Sequence, residues 1–106
     1  MTDIPVNEAQ WNAIAAAEQQ KIEEGLRQTG AIKDGDRIVP DPNAPEMTAD
    51  TTLDPMWNPL KDACKFACGV AAAAAAAWCT ANTAGIGLAA CMAAAESARR
   101  ICEDRC

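Results

Sequence analysis

Six cysteines in the second half of the chain constrain its fold more than any other feature. Their spacing is C-x3-C-x10-C-x11-C-x10-C-x3-C, which is a mirror image centred on Gly85. If each side of Gly85 is helical, its three cysteines fall within about 60° of one another, because successive residues turn by about 100°. A chain folded back at Gly85 therefore sets two rows of cysteines face to face. The spacing predicts three nested disulfides, Cys64–Cys106, Cys68–Cys102 and Cys79–Cys91.

The residues around the cysteines favour two helices joined by a turn. The first helix is predicted to open with Asn58 as N-cap and Pro59 at its first position, and it contains seven consecutive alanines. Residues 82–87 include two glycines and end this helix, and the second runs from about Leu88 to Asp104. Alanine lets the helices approach to the Cα separation of about 5.5 Å that a disulfide requires. Each bridge is expected to stabilise the hairpin by about 2–4 kcal/mol.

The first half of the chain carries one predicted amphipathic helix, over residues 7–28. Asn7 is a suitable N-cap and Gly30 a suitable end. Two interpretations of its apolar stripe remain open: packing against the rest of the chain, or recognition by a processing or export machine. The stripe consists of Trp11, Ile14, Ile22 and Leu26.

Charge and proline content divide the chain into regions. Residues 1–60 carry eleven acidic and four basic side chains and all six prolines, whereas residues 61–106 carry four acidic and five basic. We therefore predict an all-α protein with a helix in residues 1–30, an extended and mobile acidic linker over 31–57, and a disulfide-stapled helical hairpin over 58–106.

The hairpin resembles known families of small disulfide-linked helical hairpins. The C-x10-C spacing within each helix resembles the twin C-x9-C pattern of coiled-coil-helix-coiled-coil-helix proteins. The outer pairs, Cys64/Cys68 and Cys102/Cys106, are similar to those of plant helical-hairpin defence peptides and of the small import chaperones with twin C-x3-C motifs. The resemblance concerns architecture over residues 58–106, and it implies a nested hairpin without implying a ligand.

The whole chain also resembles bacteriocin precursors. These join an acidic, helix-bearing leader to a small core rich in cysteine, alanine and glycine, and the present chain changes composition in this way near residue 56. The resemblance implies an antimicrobial or toxin-like peptide that is made as a precursor and secreted. The N-terminus has no classical signal peptide, so an oxidising compartment would be reached by another route.

Composition disfavours several other classes of function. The chain has no histidine, no nucleophile–base pair and no glycine-rich phosphate loop, so we predict neither an enzyme nor a cofactor. Its charge of −6 disfavours binding to nucleic acid. A thiolate site for Cu(I) or Zn(II) is an alternative to the disulfides, built from Cys64, Cys68, Cys102 and Cys106.

An uncharged tip is the remaining candidate site. Residues 66–95 carry no charge, and the turn divides them into two arms that are each too short to span a bilayer. Ile86 and Leu88 at this tip could contact a membrane surface or a protein target. A non-catalytic interaction module, in which the N-terminal helix packs permanently on the hairpin, is the second interpretation of the whole chain.

Overall fold

The computed structural model describes residues 2–46 and 63–105, with only the backbone described at Ala63 and Phe66. The first stretch folds as a β–α–α–β unit and the second as a helical hairpin. The elements are β1 (Asp3–Asn7), α1 (Glu8–Asn12), α2 (Ala16–Thr29), β2 (Arg37–Asp41), α3 (Ala63–Asn82) and α4 (Gly85–Asp104).

The described residues are mostly helical, as predicted, but the all-α prediction was incomplete. β1 and β2 form a two-stranded parallel sheet with Asp3 opposite Arg37 and Asn7 opposite Asp41. Helices α1 and α2 make the crossover that a parallel pair requires. Ile4 and Val6 alternate with more exposed residues along β1 and turn one face of the sheet into the core.

Each strand of this sheet contains a proline at a position whose backbone nitrogen is not needed for the hydrogen bonds between the strands. The Arg37 backbone N–H donates to the Thr2 carbonyl oxygen across the pair. Because inward and outward N–H groups alternate along a parallel strand, the nitrogens of Pro5 and Pro40 both face away from the partner strand. The prolines therefore leave the ladder intact and remove one N–H donor from the outer edge of each strand.

The single helix predicted over residues 7–28 is two helices with a break between them. Asn7 is the N-cap as predicted, and its side chain accepts from the Gln10 backbone N–H at 3.1 Å. Helix α1 stops at Asn12, and Ala15 is extended, with φ −60° and ψ 147°, before α2 begins. Gly30 ends α2 in the left-handed conformation, with φ 85°, as predicted.

The part of the predicted linker that the structure describes is folded against the rest of the chain. Ile38 on β2 is 6% exposed and belongs to the core. Asp36 is buried, and its carboxylate accepts from the backbone N–H groups of Thr2 and Lys33, both at 3.1 Å. The prediction of a mobile linker is therefore wrong for residues 31–46, because β2 is paired with β1 and Ile38 is packed in the core. Residues 47–57 lie outside the described residues.

One hydrophobic core joins the β–α–α–β unit to the hairpin. Residues 2–46 supply large side chains, whereas the hairpin supplies mainly alanine and cysteine. Large side chains on one side thus fill the space that small ones leave on the other, as close packing requires. The large contributors are Ile4, Val6, Trp11, Ile22, Leu26, Ile32 and Ile38.

Candidate functional site

Two disulfides of the predicted nested set link α3 to α4. Cys79 pairs with Cys91 at a Cα–Cα distance of 5.8 Å, and Cys68 pairs with Cys102 at 5.9 Å. Cys79 and Cys91 are fully buried and Cys68 is nearly so. The predicted order of pairing about Gly85 is confirmed for these four residues.

The third predicted disulfide, Cys64–Cys106, includes a residue outside the described part of the chain and stays a prediction. None of the described cysteines is free. The Cys68–Cys102 bridge removes two thiolates from the four-thiolate site considered above. Within residues 2–46 and 63–105, no group of three or more potential ligands could hold a metal ion.

The turn between the helices is tighter than the sequence predicts. Helix α3 continues to Asn82 and α4 already begins at Gly85, whose φ of 59° favours glycine. Ile86 at this tip is 52% exposed, whereas Leu88 is partly buried against the core. The two predicted tip residues therefore differ, because only Ile86 offers a largely exposed side chain.

Three polar side chains at the end of α3 bond to its own carbonyl groups. The Thr80 hydroxyl donates to Ala76 O at 3.0 Å, and the Thr83 hydroxyl donates to Cys79 O at 2.7 Å. The Asn82 amide donates to Trp78 O at 2.9 Å. These donors are satisfied within the hairpin itself.

Helix α4 is covered on more than one side along its uncharged half. All seven residues from Ala89 to Ala95 are buried, which one neighbouring helix alone would not achieve. Helix α3 packs on one side, and β1, α1 and α2 contact the others. We call residues 2–46 the cover and residues 63–105 the hairpin.

The cover and the hairpin approach each other closely at Gly25. This residue is buried in α2, and a Cβ there would overlap the six-membered ring of Trp78 on α3. Glycine within a helix is unfavourable by roughly 1 kcal/mol relative to alanine, so its presence at Gly25 has a packing reason. An open groove of about 350 Å³ beside this contact is lined by polar side chains of α2 and by Trp78.

Three polar contacts tie the cover to the hairpin around this apolar interface. Lys21 Nζ donates to the Asn82 carbonyl oxygen at 3.2 Å, at the C-terminal end of α3 where a cation is favourable. The Ser97 hydroxyl donates to Pro5 O at 3.0 Å. The Arg105 guanidinium donates to the Thr2 hydroxyl.

The predicted recognition stripe of the N-terminal helix points into this interface. Trp11, Ile22 and Leu26 are at most 4% exposed, and Ile14 is partly buried against the same core. In the intact chain these side chains pack rather than face solvent. Any recognition through them would require the cover to separate from the hairpin.

The residues that fit the two parts together are not marked by the sequence pattern. Gly25, Lys21 and Ser97 carried no recognisable motif, and Trp78 was expected only to pack. An isolated glycine inside a helical pattern was the one available signal, since such a residue commonly marks a close contact. The sequence pattern did not indicate that Gly25 would contact Trp78, which lies on another helix more than fifty positions away.

The cover and the hairpin differ in charge. The cover carries nine acidic and four basic side chains, and the hairpin carries three acidic and four basic. The charges of the hairpin lie at the end away from the turn, where Glu96 forms ion pairs with Arg100 at 2.9 Å and Arg99 at 4.0 Å. An acidic part therefore lies on a weakly basic one.

Comparison with known proteins finds no matching family model, no matching curated protein and no matching solved structure. Among the described residues, no helix is both long and apolar enough to cross a membrane.

Proposed function

We propose that the chain is the precursor of a secreted bacteriocin-like, antimicrobial or toxin-like peptide whose active part is the disulfide-stapled hairpin. The cover holds the hairpin inactive and soluble until the chain is cut between the two. Two features support this function: the composition of the chain resembles that of bacteriocin precursors, and the cover packs over the apolar part of the hairpin.

The burial of residues 89–95 on α4 is the observation that carries the proposal. A helix that is apolar around its circumference is unfavourable in water unless other elements surround it. The cover supplies those elements, through β1, α1 and α2. Loss of the cover would expose alanine, methionine and tryptophan surface that has no other partner among the described residues.

The covalent connections support separation of the two parts. All six cysteines lie after residue 63, so no disulfide can join the cover to the hairpin. The Cys68–Cys102 and Cys79–Cys91 bridges keep α3 and α4 together after a cut. A single cleavage in residues 47–62 would therefore leave a stapled hairpin held to its cover by packing and by polar contacts that include those of Lys21, Ser97 and Arg105.

The proposal is tested by mass spectrometry of culture supernatant from the producing cell, followed by growth-inhibition assays on the purified species. We expect a fragment that begins within residues 47–62, retains its disulfides and inhibits growth of other cells at a concentration at which the intact chain does not. The cover should be recovered separately or degraded. A supernatant that contains only intact chain, or a fragment with no more activity than the intact chain, would contradict the precursor function.

A permanent interaction module is the second candidate function, and the contact of Gly25 with Trp78 is the observation in its favour. A helix crossing this close is typical of a core that stays assembled. In this alternative the cover is never removed, and the whole folded chain acts by binding a protein partner.

A further inference from the structure

We propose that the released hairpin inserts its turn into one leaflet of a lipid bilayer that contains anionic lipid. The inference rests on the proposed function, because the cover must leave before the apolar half of α4 is accessible. It names the target of the hairpin, which the precursor function alone does not.

The uncharged half of the hairpin has the length of one leaflet. Helix α4 carries no charge from residue 85 to residue 95, which is about 16 Å of helix, and the hydrocarbon core of a bilayer is about 30 Å thick. The mirror symmetry about Gly85 sets residue 74 of α3 opposite Glu96, the first charge on α4. Both arms are therefore uncharged from the turn to the same depth.

The surface of this uncharged half suits a hydrocarbon environment. Ile86, at the turn, is 52% exposed and is the large apolar side chain that this half presents to solvent among the described residues. The hydroxyl donors of Thr80 and Thr83, and one of the two amide N–H donors of Asn82, are bonded to carbonyl groups of α3. These internal hydrogen bonds lower the cost of bringing the polar residues near the turn into lipid.

Charge favours anionic headgroups once the cover has left. The cover has five more acidic than basic residues, whereas the hairpin has one more basic than acidic. Release also frees Arg105 from Thr2 of the cover. Lys65, Arg100 and Arg105 are exposed at the charged end, where the headgroups would lie if the turn were inserted.

The experiment uses the oxidised full-length chain with a site-specific protease sequence placed within residues 50–55. The chain is cut, both pieces are left in solution, and vesicles of equimolar phosphatidylglycerol and phosphatidylcholine are added and floated. We expect the hairpin piece to float with the vesicles and the cover piece to stay behind. The uncut chain, and pure phosphatidylcholine vesicles, should carry at least about tenfold less protein.

The matched variants place one added negative charge at two depths. Ile86→Asp sets a charge at the turn, where the N-terminal end of α4 tolerates an acidic residue, so the hairpin still folds. It is expected to reduce vesicle binding at least about tenfold. Ala67→Asp, which is also exposed but lies at the charged end, is expected to reduce binding by at most about fivefold. A non-reducing peptide map confirms the disulfides of both variants.

The outcomes separate this inference from the function on which it rests. A hairpin piece that inhibits cells but does not float, or whose binding falls equally for both variants, overturns membrane insertion and leaves the precursor function standing, with a protein target as its remaining explanation. A hairpin piece that floats but is never produced by the cell supports insertion and contradicts the precursor function. Pieces that remain together in the presence of vesicles overturn insertion.

Discussion

At the scale of single residues, the contact between Gly25 and Trp78 decides how closely the cover lies on the hairpin. Two effects oppose each other when Gly25 is replaced by alanine. The helix gains propensity by roughly 1 kcal/mol, whereas the added Cβ overlaps a large ring that must move. Overpacking of a close contact costs typically about 1–3 kcal/mol, so we expect the steric term to dominate.

Gly25→Ala is therefore predicted to lower the free energy of unfolding by up to about 2 kcal/mol in a urea titration. Gly87→Ala is the matched control, because a Cβ there meets Thr83 Cβ only at 3.8 Å, an ordinary contact. This control is expected to raise stability by about 0.5–1 kcal/mol. Equal effects of the two substitutions would mean that the Gly25 contact has no energetic importance.

At the scale of elements, the two described disulfides fix which face of α3 meets α4. The sequence predicted this pairing because the symmetry of the cysteines is independent of the rest of the fold. It missed β1 and β2 because each has five residues, includes a proline and is stable only when paired with a segment some 34 positions away. It also missed the break before α2, since alanine at 13 and 15 favours helix and no glycine or proline marks the break.

Paired cysteine variants test the nested order. Cys79→Ala with Cys91→Ala removes one whole bridge, and we expect no free thiol and a loss of about 2–4 kcal/mol in the absence of reductant. Cys68→Ala with Cys91→Ala removes the same number of sulfur atoms but breaks two disulfides. Cys79 and Cys102 then have no partner, so thiol titration should find two free thiols. In excess reductant the stability difference between the first variant and the parent should shrink. Two titratable thiols in the first variant, or none in the second, would contradict the nested pairing.

At the scale of the whole molecule, a shared core connects two parts with different covalent support. The composition of the sequence predicts a boundary near residue 56, which lies outside the described residues. It did not show that the acidic part folds onto the basic one, because this depends on how Trp11, Ile22 and Leu26 fit into one core with the alanines of the hairpin. The fit between these surfaces depends on the shapes of side chains that are far apart in the sequence. The spacing of apolar residues along the chain does not predict that fit.

Native-state amide exchange distinguishes a removable cover from a permanent module. If the cover is removable, we expect α2 and the strand pair to open together at a free energy at least about 2 kcal/mol below that of α3 and α4, because the disulfides restrict only the hairpin. Protection over residues 10–26 equal to that over the hairpin would favour the module. Exchange of all the described amides through one global unfolding step would also favour the permanent module.

The nesting of the sulfur pairs also bears on how the hairpin is made. Cys79 and Cys91 are 12 residues apart, whereas Cys68 and Cys102 are 34 apart. The entropy lost on closing a loop grows with its length, so the pair nearest the turn has the smallest barrier to meeting. Once it is joined, the two arms bring the next pair together as neighbours. Oxidation can thus proceed outward from Gly85 in ordered local steps, and the hairpin can reach its final connectivity before the acidic half of the chain takes any part.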